Sequence, residues 1–427
     1  MKKKSKIIHI LHHPPNPMIR EYKIPENLKN TSYPFEYTMI DTFPYWIGFF
    51  RGDHHVKLAR EILERTGKYQ IECWRPYNNK INKIYSKNVD GILHRVFPSK
   101  EIRIPYFGTW LKSKEMLNEL KREIKNNNIL IHFNDGHSRF ITWLILGLKN
   151  EKIPIIYQHR SSCFGIFKYK ASAKKYNVTN LYVYWKELQA LRYITHYFSG
   201  SMIEKKYMEE KLKIKNLSYM MDGVDFDFYK PSPDRKNLRK RLELSLNKII
   251  ILYVGRFYKD KNVDILIRCF KRIKARNNNI ELMLVGGYKS DQFYQMGKEA
   301  GAIIKERTTP DRLLKYYQAV NIYVMPTFDY KVVNFGGFGS APIEALAAGL
   351  PIITNNIIHF PGTRAERDKI GMTMESEEMI EKNINYMLNN LDKFKECRKI
   401  AKKYYDINVT MEILLNKYEE LFREYYG

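Results

Sequence analysis

Short apolar runs alternate with amphipathic stretches along most of the chain. Residues 56–63 and 409–426 repeat apolar side chains at the spacing of one helix face. Eight other runs have the length and apolar content of buried strands: residues 6–11, 69–74, 129–133, 153–157, 249–254, 280–285, 322–325 and 351–354. Because buried strands that alternate with helices form parallel sheets covered on both faces, the pattern predicts an α/β protein.

The size of the chain is sufficient for two domains. Its 427 residues, 44% of them hydrophobic and 14% aromatic, can form two separate cores. The four cysteines, Cys73, Cys163, Cys269 and Cys397, are far apart and have no paired spacing, which argues against a disulfide framework or a zinc site. The apolar stretch at residues 140–146 is far shorter than the roughly 20 residues that span a bilayer. Histidines interrupt the apolar run after the amino-terminal lysines, so no signal peptide is expected.

A large positive charge is the most unusual feature of the composition. The chain has 73 Lys and Arg against 46 Asp and Glu, a formal net charge of +27. Residues 1–230 hold 40 of the basic residues against 22 acidic ones, so they carry +18 of that charge. This excess favours an anionic partner, either membrane lipid, nucleic acid or a phosphorylated substrate. A bias toward Lys, Asn and Ile without functional meaning remains the alternative.

Two segments in the second half of the chain combine glycine with charged residues. Gly255, Arg256 and Lys261 follow the predicted strand 249–254. The turn Gly337-Phe338-Gly339-Ser340 precedes a predicted helix that carries Glu344. A glycine turn before a helix offers free backbone N–H groups and the positive end of the helix dipole, both of which favour phosphate. With two permanent cations nearby, the pattern indicates a nucleotide-diphosphate site that needs no metal.

These two segments resemble the donor-binding half of the family 4 glycosyltransferases, retaining enzymes of the GT-B fold. The family has a Gly-Arg pair with a Lys five residues after the Arg, as in residues 255–261. Its second motif is a Glu, then Gly-Phe-Gly, then a second Glu, and residues 337–339 and Glu344 match it. The first Glu is replaced by Gly336. Because of that departure, the sequence does not predict the identity of the transferred sugar. A non-catalytic homologue is the alternative.

The resemblance implies a role for each matched residue. Arg256 and Lys261 hold the donor phosphates and stabilise the departing diphosphate. Glu344 accepts hydrogen bonds from the two ribose hydroxyls. Phe338, Gly339 and Ser340 offer backbone N–H groups to the donor. The alternatives are an exposed basic loop for the two cations and a helix-start carboxylate for Glu344.

Candidates in the first half of the chain are two histidines and a glycine. His159, just after the predicted strand 153–157, resembles a family His that faces the donor sugar. Its expected role is to hydrogen-bond the sugar or to assist the acceptor hydroxyl. His137 is a second candidate at a strand end, and a structural role is the alternative for both. Gly52 resembles the family's glycine loop near donor and acceptor, although the spacing to the following helix is shorter.

The family plan also predicts the domain organisation. Residues 196–201 resemble the last strand and turn of its N-terminal domain, and residues 221–231 resemble its interdomain segment. We therefore expect a GT-B fold with two facing Rossmann-like parallel-sheet domains, an interdomain cleft and a C-terminal crossover helix. The expected bounds are an acceptor-binding domain at 1–222, a nucleotide-sugar-binding domain at 223–405, and a final helix at 406–427 that packs on the first domain. Residues 12–50, rich in Pro, Asn and Tyr, give no prediction.

Several other motifs have a structural interpretation or an open one. Asp225-Phe-Asp227 is spelled like a metal-binding Asp-x-Asp, but it lies in the interdomain segment and is interpreted as structural. Adjacent histidines such as His54-His55 cannot easily bind one ion, so no metal site is predicted. Residues 103–114 and 164–175 interleave aromatic side chains with cations, as at an anionic membrane surface, where each cation contributes about 1 kcal/mol. The alternative is a pair of partly buried helices with solvated basic faces.

The sequence thus predicts a retaining, metal-independent glycosyltransferase of the hexosyltransferase type. It would move a sugar from a nucleotide-diphosphate sugar to a lipid-linked or surface-glycan acceptor, with no cofactor beyond its substrate. We expect a cytoplasmic protein that associates peripherally with the inner face of the membrane. One alternative, argued from charge alone, is a nucleic-acid-binding protein, although no motif of the usual modules is present and no specific nucleic acid is expected. A GT-B sugar-nucleotide epimerase, which needs no acceptor, is the other.

Overall fold

The computed structural model describes residues 4–11, 54–77, 83–104, 108–134, 138–159, 178–289, 291–327 and 338–427. The chain divides into two compact units. Unit 1 takes in Met1–Met220 and Met411–Gly427, and unit 2 takes in Met221–Thr410.

Unit 1 is built on an eight-stranded sheet with the order β10-β9-β8-β7-β1-β2-β4-β3. Neighbouring strands are parallel except β3, which is antiparallel to β4. Buried residues fill the central strands almost without interruption, as expected when helices cover both faces of a parallel sheet. The strands are β1 Ser5–Leu11, β2 Gln70–Tyr77, β3 Tyr85–Val89, β4 Ile92–Pro98, β7 Asn128–Asn134, β8 Ile155–His159, β9 His196–Ser199 and β10 Leu217–Tyr219.

The helices of unit 1 begin at serine caps wherever a cap hydrogen bond is described. Ser113, Ser138 and Ser201 each accept a hydrogen bond from a backbone N–H in the first turn, which satisfies a donor that has no partner inside the helix. The helices are α1 His54–Thr66, α2 Lys114–Asn126, α3 Arg139–Gly147, α4 Val178–Leu191 and α5 Met202–Glu210.

A separate two-stranded ribbon replaces one of the helices considered in the sequence. Strands β5 Lys100–Ile104 and β6 Gly108–Lys112 pair antiparallel. A helical interpretation of residues 103–114 is therefore wrong. Lys100, Glu101, Ile102 and Arg103 are exposed along β5, while Trp110 is buried in β6. The charged residues of β5 hide the alternation that normally marks a strand, because most of them face solvent.

Unit 2 is built on six parallel strands with the order β13-β12-β11-β14-β15-β16. They are β11 Ile249–Val254, β12 Ile280–Gly287, β13 Ile303–Glu306, β14 Ile322–Met325, β15 Ile352–Thr354 and β16 Gly371–Met372. Apolar side chains from the helix Val263–Arg276 pack on the sheet in one continuous core, which includes Leu266 and Phe270. All eight strands predicted from apolar runs, four in each unit, are confirmed, with shifts of up to three residues at their ends.

The helices of unit 2 alternate with its strands. They are α6 Arg235–Arg241, α7 Val263–Arg276, α8 Gln292–Glu299, α9 Pro310–Ala319, α10 Ser340–Ala347, α11 Arg364–Ile370, α12 Glu377–Leu388 and α13 Cys397–Tyr405. Short 3-10 turns lie at Lys259–Lys261, Asn355–His359 and Leu391–Phe394.

The last helix, α14 Ile407–Tyr426, begins in unit 2, and from Met411 onward its residues belong to unit 1. There the Tyr418 hydroxyl hydrogen-bonds His132 Nδ1 at 2.6 Å, and the Tyr426 hydroxyl donates to the Ile129 carbonyl at 2.7 Å. The Phe422 ring stacks on Tyr69 with centroids 5.1 Å apart. The end of the chain is thus an integral part of the core of unit 1.

Candidate active site

In unit 2, the loops that follow β11 and β14 meet at Pro326, the first residue after β14. The two strands are neighbours, and the order of strands reverses between them, because β12 and β13 lie on the other side of β11. Asn262 Nδ2 donates to the Pro326 carbonyl at 2.9 Å and so joins the two loops. In open α/β sheets, ligands bind outside the carboxyl ends of the strands at such a reversal. The basic loop after β11 is therefore in the position where a ligand is expected.

Arg256 and Lys261 lie in this first loop. The exposed Arg256 guanidinium lies over the Tyr258 ring, 5.0 Å from its centroid. The Tyr253 hydroxyl donates to the Arg256 carbonyl at 2.8 Å and fixes the loop backbone. Lys261 ends the 3-10 turn and is partly exposed. Both cations are therefore accessible to an anion from solvent.

A glycine in the neighbouring strand allows the backbone to come close to Gly255. Gly286, near the end of β12, has a φ of +111°, and a Cβ there would lie 2.6 Å from the Gly255 carbonyl oxygen. Only glycine fits this position without a shift of the loop. Gly286 was not predicted from the sequence, although a Gly-Gly pair at the end of an apolar run was the signal available.

The glycine turn leads into α10. Phe338 is fully buried, with its ring 5.2 Å from that of Tyr405, so its side chain anchors the turn in the core. Gly339 precedes the helix with a φ of +83°, and Ser340 is the exposed first helical residue. The backbone N–H groups of a first helical turn have no partner inside the helix and are available to an anion.

Glu344, one turn into α10, is held by a tyrosine. The Tyr317 hydroxyl, in α9, donates to Glu344 Oε2 at 3.0 Å and lies 3.3 Å from the Ala341 carbonyl oxygen. Burial, and then the charge of Glu344, raise the pKa of Tyr317 well above its usual value, so the phenol keeps its proton. Tyr317 thus fixes one carboxylate oxygen. No local pattern in the sequence indicated this residue.

In unit 1, His159 ends β8 and is almost completely buried. Its Nδ1 lies 2.5 Å from Oε1 of Glu204, which is itself fully buried. Ser199 lies directly opposite His159 across β8 and β9, and its hydroxyl donates to Glu204 Oε2 at 2.6 Å. His159 was predicted from the sequence and Glu204 was not. The Ser-x-x-Glu pattern at residues 201–204 was a signal for a helix start only.

The predicted residues Gly52, His137 and Gly337 lie outside the described residues, as do Gly336 and residues 164–175. Asp225-Phe-Asp227 is described, and it forms a turn: Asp225 Oδ1 accepts hydrogen bonds from the N–H groups of Asp227 and Phe228 at 2.9 and 2.8 Å. This bonding supports the structural interpretation of that motif. Within the described ranges, no helix is long and apolar enough to cross a bilayer.

Two α/β units, each built on a mainly parallel sheet, are the arrangement expected of the GT-B class of fold. A crystal structure of Anabaena Alr3699/HepE in complex with UDP superposes with a TM-score of 0.65 over 97% of this chain and all of that one, at 14% identity. This likeness confirms the predicted fold class.

The second half of the chain is similar to a known enzyme family. Residues 234–404 match the family model for glycosyl transferases group 1. The chain is 24% identical over 293 residues to the uncharacterized glycosyltransferase MJ1607 of Methanocaldococcus jannaschii, covering 64% of this chain and 68% of that protein. It is 26% identical over 167 residues to the lipopolysaccharide 1,2-N-acetylglucosaminetransferase of Salmonella typhimurium, covering 36% of this chain and 42% of that protein. The match thus spans less than half of the Salmonella relative.

Residues 234–404, nearly all of unit 2, are therefore similar to the glycosyl transferases of group 1. The predicted resemblance to glycosyltransferases is confirmed. Arg256, Lys261 and Glu344 lie within these residues, whereas His159 and Glu204 lie outside them.

Proposed function

We propose that the protein transfers a hexosyl group, with retention, from a nucleotide-diphosphate sugar to a lipid-linked or surface-glycan acceptor, without a metal ion. The observation that carries the proposal is the position of the basic loop after β11, bonded through Asn262 to Pro326 at the strand-order reversal of unit 2. Two relatives support it by their names, since one structure contains UDP and the other protein is a lipopolysaccharide transferase.

The residues of unit 2 bind the donor. Arg256, Lys261 and the first turn of α10 neutralise the diphosphate as negative charge develops on it. Glu344, oriented by Tyr317, accepts hydrogen bonds from the ribose hydroxyls.

The chemical step needs one proton acceptor. As the acceptor oxygen bonds to the anomeric carbon, its proton passes to a ring nitrogen of His159. The electron pair of the broken carbon–oxygen bond leaves with the diphosphate. Because the acceptor approaches from the face that the diphosphate leaves, the configuration is retained.

Thermal shift with UDP, GDP, ADP and their sugar conjugates tests the donor site. We expect one diphosphate to raise the melting temperature of the wild type. Arg256→Ala should lose most of that shift, because a lost charge-assisted hydrogen bond of about 1.5–3 kcal/mol weakens binding roughly 10- to 100-fold. Arg276→Ala is the matched control, since Arg276 lies at the far end of α7, about 20 Å along the helix from the loop.

Equal shifts in wild type and Arg256→Ala, or no shift with any diphosphate, would contradict the proposed donor site. With the donor identified, product NMR must show retained configuration, EDTA must leave the rate unchanged, and donor turnover must require an acceptor. Acceptor-independent interconversion of the donor would instead support an epimerase.

We also propose that unit 1 meets an anionic membrane through its ribbon and α4. Trp185 and Leu181 of α4 are 50% and 44% exposed, and the Lys186 ammonium lies 4.5 Å from the Trp185 ring. Tyr182 of the same helix contacts Trp110 of the ribbon, with ring centroids 6.1 Å apart. Exposed aromatic and aliphatic side chains beside cations suit the headgroup region of a bilayer.

Co-sedimentation with phosphatidylglycerol vesicles at low salt tests this surface, with phosphatidylcholine vesicles as the comparison. The wild type should sediment with the anionic vesicles and Trp185→Ala should bind more weakly. Equal sedimentation of Trp185→Ala and the wild type, or no sedimentation of the wild type with anionic vesicles, would contradict the proposed membrane surface. Tight binding of the wild type to oligonucleotides, with a steep salt dependence, would favour the nucleic-acid alternative.

A further inference from the structure

Glu204 is a buried carboxylate that no motif assigned to the site. It is fully buried at the third position of α5, and His159 is 1% exposed. A carboxylate buried to this degree needs hydrogen bonds and an opposite charge or a strong donor to be stable. Its partners therefore determine what it can do.

The partners hold the carboxylate as an acceptor. Ser199 Oγ donates to Oε2 at 2.6 Å, and the Tyr197 hydroxyl donates to Oε1 at 3.2 Å. Burial, and then the charge of Glu204, raise the pKa of Tyr197 well above its usual value, so this phenol remains a donor. The Glu204 N–H donates to the capping Ser201 Oγ at 3.3 Å, and the first turn of a helix favours negative charge. The oxygen at 2.5 Å from His159 Nδ1 thus belongs to a carboxylate that accepts from both hydroxyls.

This geometry fixes the protonation of the imidazole. An Nδ1 at hydrogen-bond distance from a carboxylate carries the proton, and in a neutral ring Nε2 is then the acceptor. The backbone supports the ring, because the Gly200 N–H donates to the His159 carbonyl at 3.0 Å and ties β8 to β9.

We infer that Glu204 is a positioning residue, which holds His159 as the Nδ1–H tautomer and so presents Nε2 as the proton acceptor. The inference rests on the proposed role of His159 at the acceptor hydroxyl. Glu204 itself does not touch the substrate. When the acceptor proton reaches Nε2, the imidazolium formed is stabilised by the carboxylate already beside Nδ1.

The first test reads the tautomer and needs no activity. In the protein labelled with ¹⁵N-histidine, the His159 resonances are assigned by their loss in His159→Ala. The wild type should show a protonated Nδ1 and a bare Nε2, and Glu204→Gln should shift the ring toward the other tautomer. Glu119→Gln is the control, because Glu119 is another buried carboxylate of unit 1 but pairs with Arg95 and Arg122. A protonated Nε2 in the wild type, or an unchanged ring in Glu204→Gln, would overturn the inference.

The second test is kinetic. Glu204→Gln should lower kcat about 10- to 100-fold, the size of loss seen when the outer partner of a metal-bound histidine is removed, with the KM for the donor nearly unchanged. In a His159→Ala background the same substitution should change kcat by less than about twofold, because residues that act as a unit are not additive. Equal losses in both backgrounds would show a general structural role and refute the inference.

The two tests separate this inference from the proposed function. If no acceptor is glycosylated, the proposed function fails, while the ¹⁵N spectra still decide the tautomer. If Glu204→Gln does not fold, Glu204→Asp keeps the charge but withdraws the carboxylate by one methylene. Glu204→Asp should then show a smaller change in the same direction, both in the tautomer and in kcat. If Glu204→Asp changes neither, the inference is contradicted.

Discussion

Replacing Tyr317 by Phe isolates the contact that orients the proposed ribose-binding carboxylate. The change removes only the hydroxyl, which donates to Glu344 Oε2 at 3.0 Å and lies 3.3 Å from the Ala341 carbonyl. The ring stays in the core, with its centroid 6.3 Å from that of Tyr323. Fold and volume are therefore preserved.

The size of the effect follows from these two contacts. A hydrogen bond to a charged acceptor contributes about 1.5–3 kcal/mol, and the lower end applies here because Glu344 is partly exposed. Unfolding should therefore need about 1.5–2 kcal/mol less free energy. In the variant, ligand binding must also immobilise the Glu344 carboxylate, which costs about 0.5–1.5 kcal/mol. The affinity for the diphosphate should therefore fall roughly 2- to 10-fold.

Calorimetric titration with the diphosphate found by thermal shift measures the binding term, and urea unfolding measures the stability term. Tyr316→Phe is a matched control one residue away, because the Tyr316 hydroxyl accepts from Arg312 Nε and does not contact Glu344. The reasoning is refuted if Tyr317→Phe binds the diphosphate as tightly as the wild type, or if Tyr316→Phe weakens binding equally.

Three further predictions concern stability. Arg239 is 4% exposed and donates to the carbonyls of Ala319 and Lys248 and to Asn321 Oδ1, among others. Arg239→Lys should therefore lower the free energy of unfolding in urea by about 3 kcal/mol. The control Arg241→Lys, at an exposed position, should leave it almost unchanged. Burial, and then the charge of Lys417, lower the pKa of His196 to about 4. Because the unfolded chain binds this proton at a higher pH, the free energy of unfolding should fall as the pH drops from 6.5 to 4. The fall should be up to about 3 kcal/mol larger in the wild type than in His196→Gln. Parallel pH curves for the two proteins would contradict this. Asp225→Ala should lower the free energy of unfolding by about 1 kcal/mol, because it breaks the turn, and Asp227→Ala should lower it less. If Mn²⁺ raises the melting temperature of the wild type and either substitution abolishes that rise, the pair is instead a metal site.

The sequence was most informative where burial is continuous. Strands β1, β7, β11 and β14 are central in their sheets, so their apolar runs have no solvent-facing positions to interrupt them. The ribbon formed by β5 and β6 was missed because its exposed residues are mostly charged. Sheet edges are therefore harder to predict than sheet centres.

The residues of the candidate site also fall into two groups, those with a local sequence signal and those without one. Arg256, Lys261 and Glu344 were identified because glycine turns beside strands and helices have a local signature. Tyr317 and Glu204 could not be identified, because they lie 27 and 45 residues from their partners Glu344 and His159. Such contacts depend on how the elements pack, which periodicity does not reveal.

The last helix has a consequence for how the chain acquires its structure during synthesis. Unit 1 is completed by residues from Met411 onward, which leave the ribosome only after all of unit 2 has been made. Until then the surfaces around His132 and Tyr69 lack Tyr418 and Phe422. The nascent amino-terminal half therefore lacks part of its core until these residues have been made, while the later half can fold first.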